Sequence, residues 1–374
     1  MKINQHYENS NLFPTDNELM KDSYTMKIYH EKKSSILNKI LFIILIVIFI
    51  ITIISLVLYN QMLSNKLKKT ESLLKVYKIF RADVDVKLFL KNKTKFYYKE
   101  RKRYLKSRNK NYDESHLITF QDKLNYLMIH ESPEYKGNIV DKIKLTDYSI
   151  KILGKDICIP ILKTYNNVNE INIDELPDKF VLKCNHGSGM NIFCKNKSNF
   201  DLNIAKKRLN EWMNTNFGLP GTEFQYYFIE RKILASPYLG KLTDYKTFCF
   251  NGRPKFIAAR RILDEINHKY IYNYYDLNWT LTNLEYGRSS YKRDPKVNIK
   301  KPQNLDLIIE YSKKLSKEFV FVRIDFYEVN GTLYLGELTF SPSNIDMPYK
   351  DHDQRVYLGN LLNISDIKPS LFNN

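Results

Sequence analysis

The 374-residue chain contains only four cysteines, and no two of them have the C-x-x-C spacing of a zinc site or a redox motif. Each lies within or beside an apolar run, which predicts small buried side chains and favours a reducing compartment. The four positions are Cys158, Cys184, Cys194 and Cys249. Metal-ligand spacing is also missing around His130, His268 and His352, and no Ser–His–Asp or Cys–His nucleophile arrangement can be read.

Acidic residues are few beside the basic ones, which leaves a formal charge of +18. The lysines are scattered, and the sequence has no zinc-knuckle, RNP or helix-turn-helix signature, so no nucleic-acid partner is predicted. The same excess of positive charge could bind anionic lipid, nucleotide phosphates or an acidic glycan. Charge alone does not choose among these.

One long run without any charge extends from Ile40 to Leu58. At about 1.5 Å per residue it can cross a hydrocarbon core of roughly 30 Å, and it lacks a small-residue cleavage site. We predict a transmembrane helix within residues 37–60, preceded by a flexible polar tail, 1–36, and followed by a basic helical stem, 61–114. The stem could rest on anionic lipid or act as a solvated spacer. The flanking lysines favour a single-pass membrane protein with a cytoplasmic catalytic domain.

The segment Phe319–Phe340, which reads FVFVRIDFYEVNGTLYLGELTF, has the pattern of two strands joined at Asn330-Gly331. The register of this hairpin decides which side chains share a face. A two-residue turn would place Asp325 opposite Gly336 and send Asp325 and Glu337 to opposite faces of the sheet.

A three-residue loop is the alternative, and it pairs Glu328 with Thr332. Arg323 then lies opposite Glu337. We prefer this register because it sorts the side chains into an apolar and a polar face. The apolar face carries Val320, Val322, Ile324, Phe326, Tyr334, Leu338 and Phe340. The polar face carries Arg323, Asp325, Glu337 and Thr339.

Two carboxylates on one sheet face repel each other, and a divalent cation between Asp325 and Glu337 would remove the repulsion. The alternative interpretation is a surface hairpin with an ordinary cross-strand pair between Arg323 and Glu337. The hairpin by itself leaves both interpretations open.

A glycine-containing loop lies between two further predicted strands. Asp178–Lys183 is the first strand, Cys184–Asn191 (CNHGSGMN) is the loop, and Ile192–Lys195 is the second strand. Backbone N–H groups at such a hairpin tip can cover a phosphate. The loop is neither a G-x-G-x-x-G nor a P-loop motif, because no helix begins after it and its lysine precedes the glycines.

Alternation and periodicity predict the remaining elements. Several short helices are expected between Ser115 and Ile161. The other predictions are helices at Leu202–Asn216 and Leu305–Leu315, a strand at Phe224–Leu234 that carries Glu230, and a hairpin of Asp244–Phe250 with Pro254–Arg261.

These pieces together resemble the ATP-grasp superfamily, and in particular its TupA-like branch, which is named for teichuronopeptide biosynthesis. The resemblance covers roughly residues 115–362 and keeps the order of the motifs. The matching segments are FQDKLNYLMIHE at Phe120–Glu131, VDKIKLTDYS at Val140–Ser149, LPDKFVLKCNHGSGMN at Leu176–Asn191, DYKTFCFNGRPKFI at Asp244–Ile257 and FVRIDFYEVNGTLYLGELTF at Phe321–Phe340. It implies an α+β ATP-grasp fold over residues 115–374, with antiparallel sheets, helices and a nucleotide between two subdomains.

The resemblance also implies roles for individual residues. Lys142 and Lys183 match the lysines that contact nucleotide phosphates, and Glu230 matches the hinge acid near the adenosine. The glycine-rich flap over ATP corresponds to His186, Gly187, Ser188 and Gly189. The Mg²⁺ ligands correspond to Asp325, Glu337 and Thr339. The cations that stabilise an acyl phosphate correspond to Lys246, Arg260 and Arg323.

Three positions depart from the family pattern. Thr339 stands where many members have asparagine, although a hydroxyl can still coordinate Mg²⁺ or a bridging water. Thr146 replaces an arginine, and Ser341–Ile345 replaces a glycine-rich turn. The last two changes lie where substrate contacts are expected, so they put the acceptor in question more than the ATP site.

The prediction for function is a membrane-anchored, Mg²⁺- and ATP-dependent ligase. It would join an amine to a carboxylate through an acyl phosphate, on a cell-envelope or capsular glycan. A kinase that phosphorylates a sugar or polyol is one alternative. A non-catalytic, membrane-tethered glycan-binding scaffold is another, but the retention of Lys183, Asp325 and Glu337 together argues against decay of the site.

Overall fold

The fold is described from a computed structural model. It describes residues 41, 43–64, 105, 112–131, 133–215, 217–218, 223–240, 242–264, 269–287, 291–345, 349 and 351–367. The chain divides into two compact units, Met1–Val76 and Tyr77–Asn374.

The first unit contains one long helix, α1, at Ile43–Ser64. Its mean hydropathy is 2.9 and none of it is buried, so it is long and apolar enough to cross a membrane. Thr52 Oγ1 donates a hydrogen bond to the Ile48 carbonyl at 2.8 Å, which satisfies the hydroxyl inside the helix. The predicted tail, 1–36, and nearly all of the predicted stem, 61–114, lie outside the described residues.

The larger unit combines helices with two sheets. Its helices are α2 (Phe120–His130), α3 (Pro133–Val140), α4 (Leu145–Leu153), α5 (Leu202–Met213), α6 (Leu305–Ser316) and α7 (His352–Asn360). Short 3₁₀ turns occur at Val168–Glu170, Ile173–Glu175, Lys197–Asn199, Phe224–Phe228 and Pro342–Ile345. The short helices expected before Ile161 are confirmed, as are the two predicted at Leu202 and Leu305.

The strands form a small and a large sheet. They are β1 (Lys163–Tyr165), β2 (Phe180–Cys184), β3 (Asn191–Cys194), β4 (Ile233–Pro237), β5 (Asp244–Phe250), β6 (Arg253–Asp264), β7 (Lys269–Tyr275), β8 (Tyr291–Lys292), β9 (Phe321–Val329) and β10 (Thr332–Thr339). The small sheet has the order β1-β4-β2-β3, and the large one β10-β9-β5-β6-β7-β8. All pairs are antiparallel except β7 with β8.

Helix ends follow local chemistry. Thr119 caps α2 in a reciprocal capping box with Asp122, and Asp201 accepts a hydrogen bond from the Ile204 amide at the start of α5. Gly154 ends α4 with a φ of 75°, a left-handed conformation that glycine adopts without steric cost.

The large sheet is covered on both faces. Ile308 and Leu315 of α6 pack against Ile324 of β9 on one face. On the other face, Phe120 of α2 packs in a cluster with Phe321 of β9. The small sheet has its own core, to which α5 contributes Leu209. All four cysteines are buried and free, as predicted.

The predicted register of the β9–β10 hairpin is wrong. Val329 pairs with Thr332, so the connection is the two-residue turn Asn330-Gly331, with φ angles of 50° and 79°. Leu333 therefore pairs with Glu328, and Tyr334 leaves the predicted apolar face to pair with Tyr327. Leu333 and Leu335 join the core in place of Tyr334.

A bulge at Gly336 restores the shared polar face that the two-residue turn alone would have destroyed. The pairing passes from Leu335 opposite Phe326 to Glu337 opposite Asp325, so Gly336 is an extra residue on β10. A Cβ at Gly336 would lie 2.3 Å from Cε2 of Tyr327, which explains why this position has no side chain. Asp325 and Glu337 thus share a face, by a different route from the one predicted.

The predicted strand Phe224–Leu234 is also wrong. Phe224–Phe228 is a 3₁₀ turn, and the strand β4 begins only at Ile233. A Cβ at Gly137 of α3 would lie 2.7 Å from the Gln225 carbonyl oxygen, so the turn packs tightly against that helix. Helix packing, which the local pattern does not contain, fixes this segment.

Candidate functional site

A cavity of about 870 Å³ lies between the two sheets of the larger unit. Both sheets contribute charged or polar side chains to its wall. They include Lys183 and Ser236 from the small sheet, and Lys246, Arg260, Arg323 and Glu337 from the large sheet. The cavity therefore has the place in the fold where the resemblance puts a nucleotide.

Two lysines line this cavity. Lys142 follows α3, and its Nζ donates a hydrogen bond to the Gly187 carbonyl at 2.6 Å. Burial lowers the pKa of Lys142, and Glu337 opposes that shift. Burial together with repulsion from Lys142 lowers the pKa of Lys183 to about 8, again against the influence of Glu337. Among the described residues neither lysine has a carboxylate within ion-pair distance.

The glycine-containing loop contributes part of its length to the wall. Ser188 and Gly189 are exposed there, and Gly189 has a φ of 74°. His186 is buried and does not line the cavity, and its Nε2 lies 3.1 Å from the Trp212 carbonyl at the end of α5. Burial lowers the pKa of His186 to about 4, so it is neutral at physiological pH. The structure gives His186 an anchoring contact for the loop.

Arg323, Asp325 and Lys246 form a compact ionic cluster on the large sheet. Arg323 donates to both oxygens of Asp325, with Nε at 2.6 Å from Oδ1 and Nη2 at 2.7 Å from Oδ2. Lys246, opposite Asp325 on β5, also donates to Oδ2. Burial would raise the pKa of Asp325, but the two cations outweigh it and lower the pKa to about 2. Asp325 is fully buried beneath them.

The guanidinium of Arg323 also joins Glu337 and Thr339. Its Nη2 lies 3.0 Å from Glu337 Oε1 and 3.1 Å from Thr339 Oγ1, and Thr339 donates to Glu337 at 3.3 Å. A cation thus does lie between the two carboxylates, and in this structure it is Arg323. The ion pair between Arg323 and Glu337 that the second interpretation predicted is therefore present as well. It is diagonal, because Arg323 lies opposite Thr339 and not opposite Glu337.

The donors at this position suit Mg²⁺, which prefers carboxylate, hydroxyl and phosphate oxygens. Glu337 and Thr339 line the cavity, whereas both oxygens of Asp325 are already bonded to Arg323 and Lys246. Within the part of the chain that the structure describes, no three His, Cys, Asp or Glu side chains are grouped for a metal. The residues therefore fit a Mg²⁺ that takes its other ligands from phosphate.

Arg260 belongs to a second ionic pair on the same face. It forms an ion pair with Asp244, which is 3% exposed and lies 3.5 Å from Lys246 Nζ. Burial would lower the pKa of Arg260, but Asp244 more than offsets this and raises it. The three predicted cations Lys246, Arg260 and Arg323 are thus brought together, and buried carboxylates hold all of them in position.

Glu230 is, like His186 and Gly187, a predicted site residue that does not line the cavity. Its side chain is 77% exposed, does not line the wall and lies 3.5 Å from Lys232. The strand β4 lines the cavity instead, through Leu234 and Ser236. The hydroxyl of Ser236 is buried without a hydrogen-bond partner among the described residues.

Sequence reasoning missed Glu223, which also lines the cavity. Ser341 Oγ donates a hydrogen bond to Glu223 Oε1 at 3.2 Å. Burial raises the pKa of Glu223 to about 7. The negative charge of Glu337 also raises this pKa, whereas the hydrogen bond from Ser341 lowers it. An acid that follows Gly221-Thr222 has the pattern of an ordinary turn residue, so the sequence held no signal for this role.

Two largely antiparallel sheets thus enclose a lysine- and arginine-lined cavity, which is the arrangement that the ATP-grasp resemblance implies. The sequence model described as TupA-like ATP-grasp matches residues 122–363, well over half of the chain. The chain belongs to the TupA-like ATP-grasp family. At the level of class, this membership supports ATP binding and ligase chemistry.

Other comparisons give more distant likenesses. A search of curated proteins finds no match. Among solved structures, D-alanine–D-alanine ligase from Bacillus anthracis in complex with ATP is 14% identical, with 55% of this chain and 56% of that one covered and a TM-score of 0.36. D-alanyl-alanine synthetase A from Vibrio cholerae is 13% identical, with 59% of this chain and 62% of that one covered and a TM-score of 0.37. The ATP-grasp ligase PsnB in complex with a minimal precursor is 9% identical, with 57% of this chain and 56% of that one covered and a TM-score of 0.32. The chain spans less than two thirds of each.

Proposed function

We propose that this protein is a membrane-anchored ligase that uses Mg²⁺ and ATP to join an amine to a carboxylate. The observation that carries the proposal is the pair of half-buried lysines, Lys142 and Lys183, which line the cavity without a carboxylate partner among the described residues. Cations that are partly removed from water and lack a counter-charge are costly unless an anion binds them. A nucleotide polyphosphate supplies that anion.

Each part of the wall then has a role in transferring the γ-phosphoryl group. Lys142 and Lys183 neutralise ATP phosphates, and Ser188-Gly189 offers backbone N–H groups to them. Glu337 and Thr339 would hold Mg²⁺, which neutralises phosphate charge when it is bound, and Asp325 would fix their position through Arg323. Arg260, Lys246 and Arg323 hold the carboxylate that receives the phosphoryl group and stabilise the negative charge of the acyl phosphate.

Replacing Lys183 by methionine is the direct test of the phosphate site. We expect the affinity for the non-hydrolysable analogue AMPPNP, with Mg²⁺, to fall roughly 10- to 100-fold, because a charge-assisted hydrogen bond to phosphate is lost. Lys179→Met is the control, since Lys179 is exposed on the segment that leads into β2. Isothermal titration calorimetry on the detergent-purified full chain measures both. Equal affinities in the two variants would remove the main support for the proposal.

The same preparation distinguishes a ligase from a kinase. Hydroxylamine traps an acyl phosphate, so a carboxylate that stimulates ADP release should give a hydroxamate. A phosphorylated product that is stable to hydroxylamine would assign the protein to the sugar or polyol kinases instead.

We further propose that α1 anchors the enzyme next to a glycan acceptor at the membrane, with the larger unit in the cytoplasm. The support is the uniformly exposed apolar surface of Ile43–Ser64. A chain that lacks residues 1–64 is expected to bind AMPPNP as the full chain does but to lose most of its ADP release with native membranes as the acceptor source. Undiminished turnover on those membranes would refute the link between anchor and acceptor.

A further inference from the structure

The carboxylates on the cavity wall are not equivalent. Asp244 is paired with Arg260, and Glu337 with Arg323. Glu223 has no cation within ion-pair distance among the residues that the structure describes, although the wall around it is rich in lysine and arginine. It is therefore the one acid of this set without a direct ion pair, and Arg323 and Lys142 act on it only from a longer distance.

The position of Glu223 is fixed by a short chain of hydrogen bonds. Gln225 Nε2 donates to Ser341 Oγ at 2.9 Å, and Ser341 Oγ donates to Glu223 Oε1 at 3.2 Å. Gln225 and Ser341 are 1% and 0% exposed, so two buried side chains hold the carboxylate. The Gln225 amide nitrogen can only donate, so Ser341 Oγ accepts from it and gives its own proton to the carboxylate of Glu223, where the chain ends.

The surroundings of Glu223 place it close to the phosphoryl-transfer residues. Both Glu337 and Arg323 act electrostatically on its carboxyl group, and all three side chains line the same cavity. Burial and the negative charge of Glu337 both disfavour ionised Glu223, which is why its pKa is raised. A cation bound beside Glu223 would relieve both effects.

We propose that Glu223 binds the ammonium group of the amine substrate and holds it beside the site of phosphoryl transfer. This inference rests on the proposed ligase function and assigns a location to its second substrate. A positively charged amine of small size is the ligand class, because Glu223 is the acid of this set without an ion pair and can pair with one ammonium group.

The test uses the detergent-purified full chain saturated with Mg²⁺ and AMPPNP. The probes are glycine, L-glutamate, L-lysine, ethanolamine and putrescine, with ethylene glycol and 1,4-butanediol as uncharged analogues of the last two. We expect at least one amine to bind the wild type, and its affinity to fall roughly 10- to 100-fold in Glu223→Gln, which keeps the size of the side chain and can accept the Ser341 bond. Glu211→Gln, on the exposed face of α5, is the control.

Three outcomes would overturn the inference: no amine probe binds, an amine binds Glu223→Gln as well as it binds the wild type, or the diols bind as well as the amines. If Glu223→Gln fails to fold, Glu223→Asp is tested in its place. Aspartate withdraws the carboxylate by one methylene, so we expect amine binding to weaken several-fold. Unchanged amine binding in Glu223→Asp would overturn the inference. Failure of AMPPNP to bind the wild type would refute the proposed function itself. Normal AMPPNP binding without an amine site would refute only the role of Glu223.

Discussion

Asp325→Asn is expected to destabilise the larger unit by about 3–5 kcal/mol and to abolish Mg²⁺-dependent AMPPNP binding. Asp325 is fully buried, and its two oxygens bind both Arg323 and Lys246. Asparagine removes the negative charge and leaves two largely buried cations without compensation, which costs more than the loss of a single hydrogen bond. Urea unfolding and calorimetry of the full chain measure the two effects.

Glu337→Gln is the matched control for the stability effect. Its side chain is 29% exposed, and it accepts one hydrogen bond from Arg323. We expect a stability loss of only about 1 kcal/mol, since the pair is partly solvated, together with a large loss of Mg²⁺-dependent nucleotide affinity. If both variants lost the same stability, Asp325 would not be the residue that holds the cationic cluster together.

Deleting Gly336 is expected to keep Mg²⁺-dependent AMPPNP binding. The deletion removes the extra residue of the bulge, so Glu337 follows Leu335 directly and still lies opposite Asp325, now in regular register. Because successive side chains alternate between faces, Glu337 and Thr339 stay on the face of Arg323 and Leu338 stays in the core. Calorimetry on the full chain measures the affinity of the deletion variant.

Gly336→Ala tests the effect of steric crowding at this position without changing the strand register. The substitution keeps the number of residues, but the new Cβ would crowd the ring of Tyr327 and lie 3.2 Å from the Asp325 carbonyl oxygen. We expect it to lower stability by roughly 1–3 kcal/mol, as overpacking does, and to keep metal-dependent binding. Loss of nucleotide binding in the deletion variant would show that Gly336 is not simply an extra residue between Leu335 and Glu337.

Several parts of this protein could be predicted from its sequence because their signal is local. The apolar run that forms α1 needs no partner in order to be recognised, and the Asn251-Gly252 turn between β5 and β6 is fixed by its own residues. The order of the motifs, with Lys183 before its loop, was enough to indicate the family that the comparison confirmed.

Other parts depended on contacts between distant segments. Alternation along Phe321–Thr339 allowed two registers, and the structure combines the two-residue turn of one with a bulge at Gly336, where a Cβ would lie 2.3 Å from the Tyr327 ring. An aromatic segment with strand propensity became a 3₁₀ turn because it packs against Gly137 of α3.

The sequence by itself determined the apolar helix, the strands with their glycine loop, and the inventory of lysines, arginines and acids. Tertiary structure alone decided which of these face one another. It placed Arg323 between Asp325 and Glu337, moved Glu230 away from the cavity and brought Glu223 to its wall. The physical reason is that ion pairs, hydrogen bonds and burial connect residues that are up to about a hundred positions apart in the sequence. Local periodicity reports only on neighbouring residues, so it cannot predict such contacts.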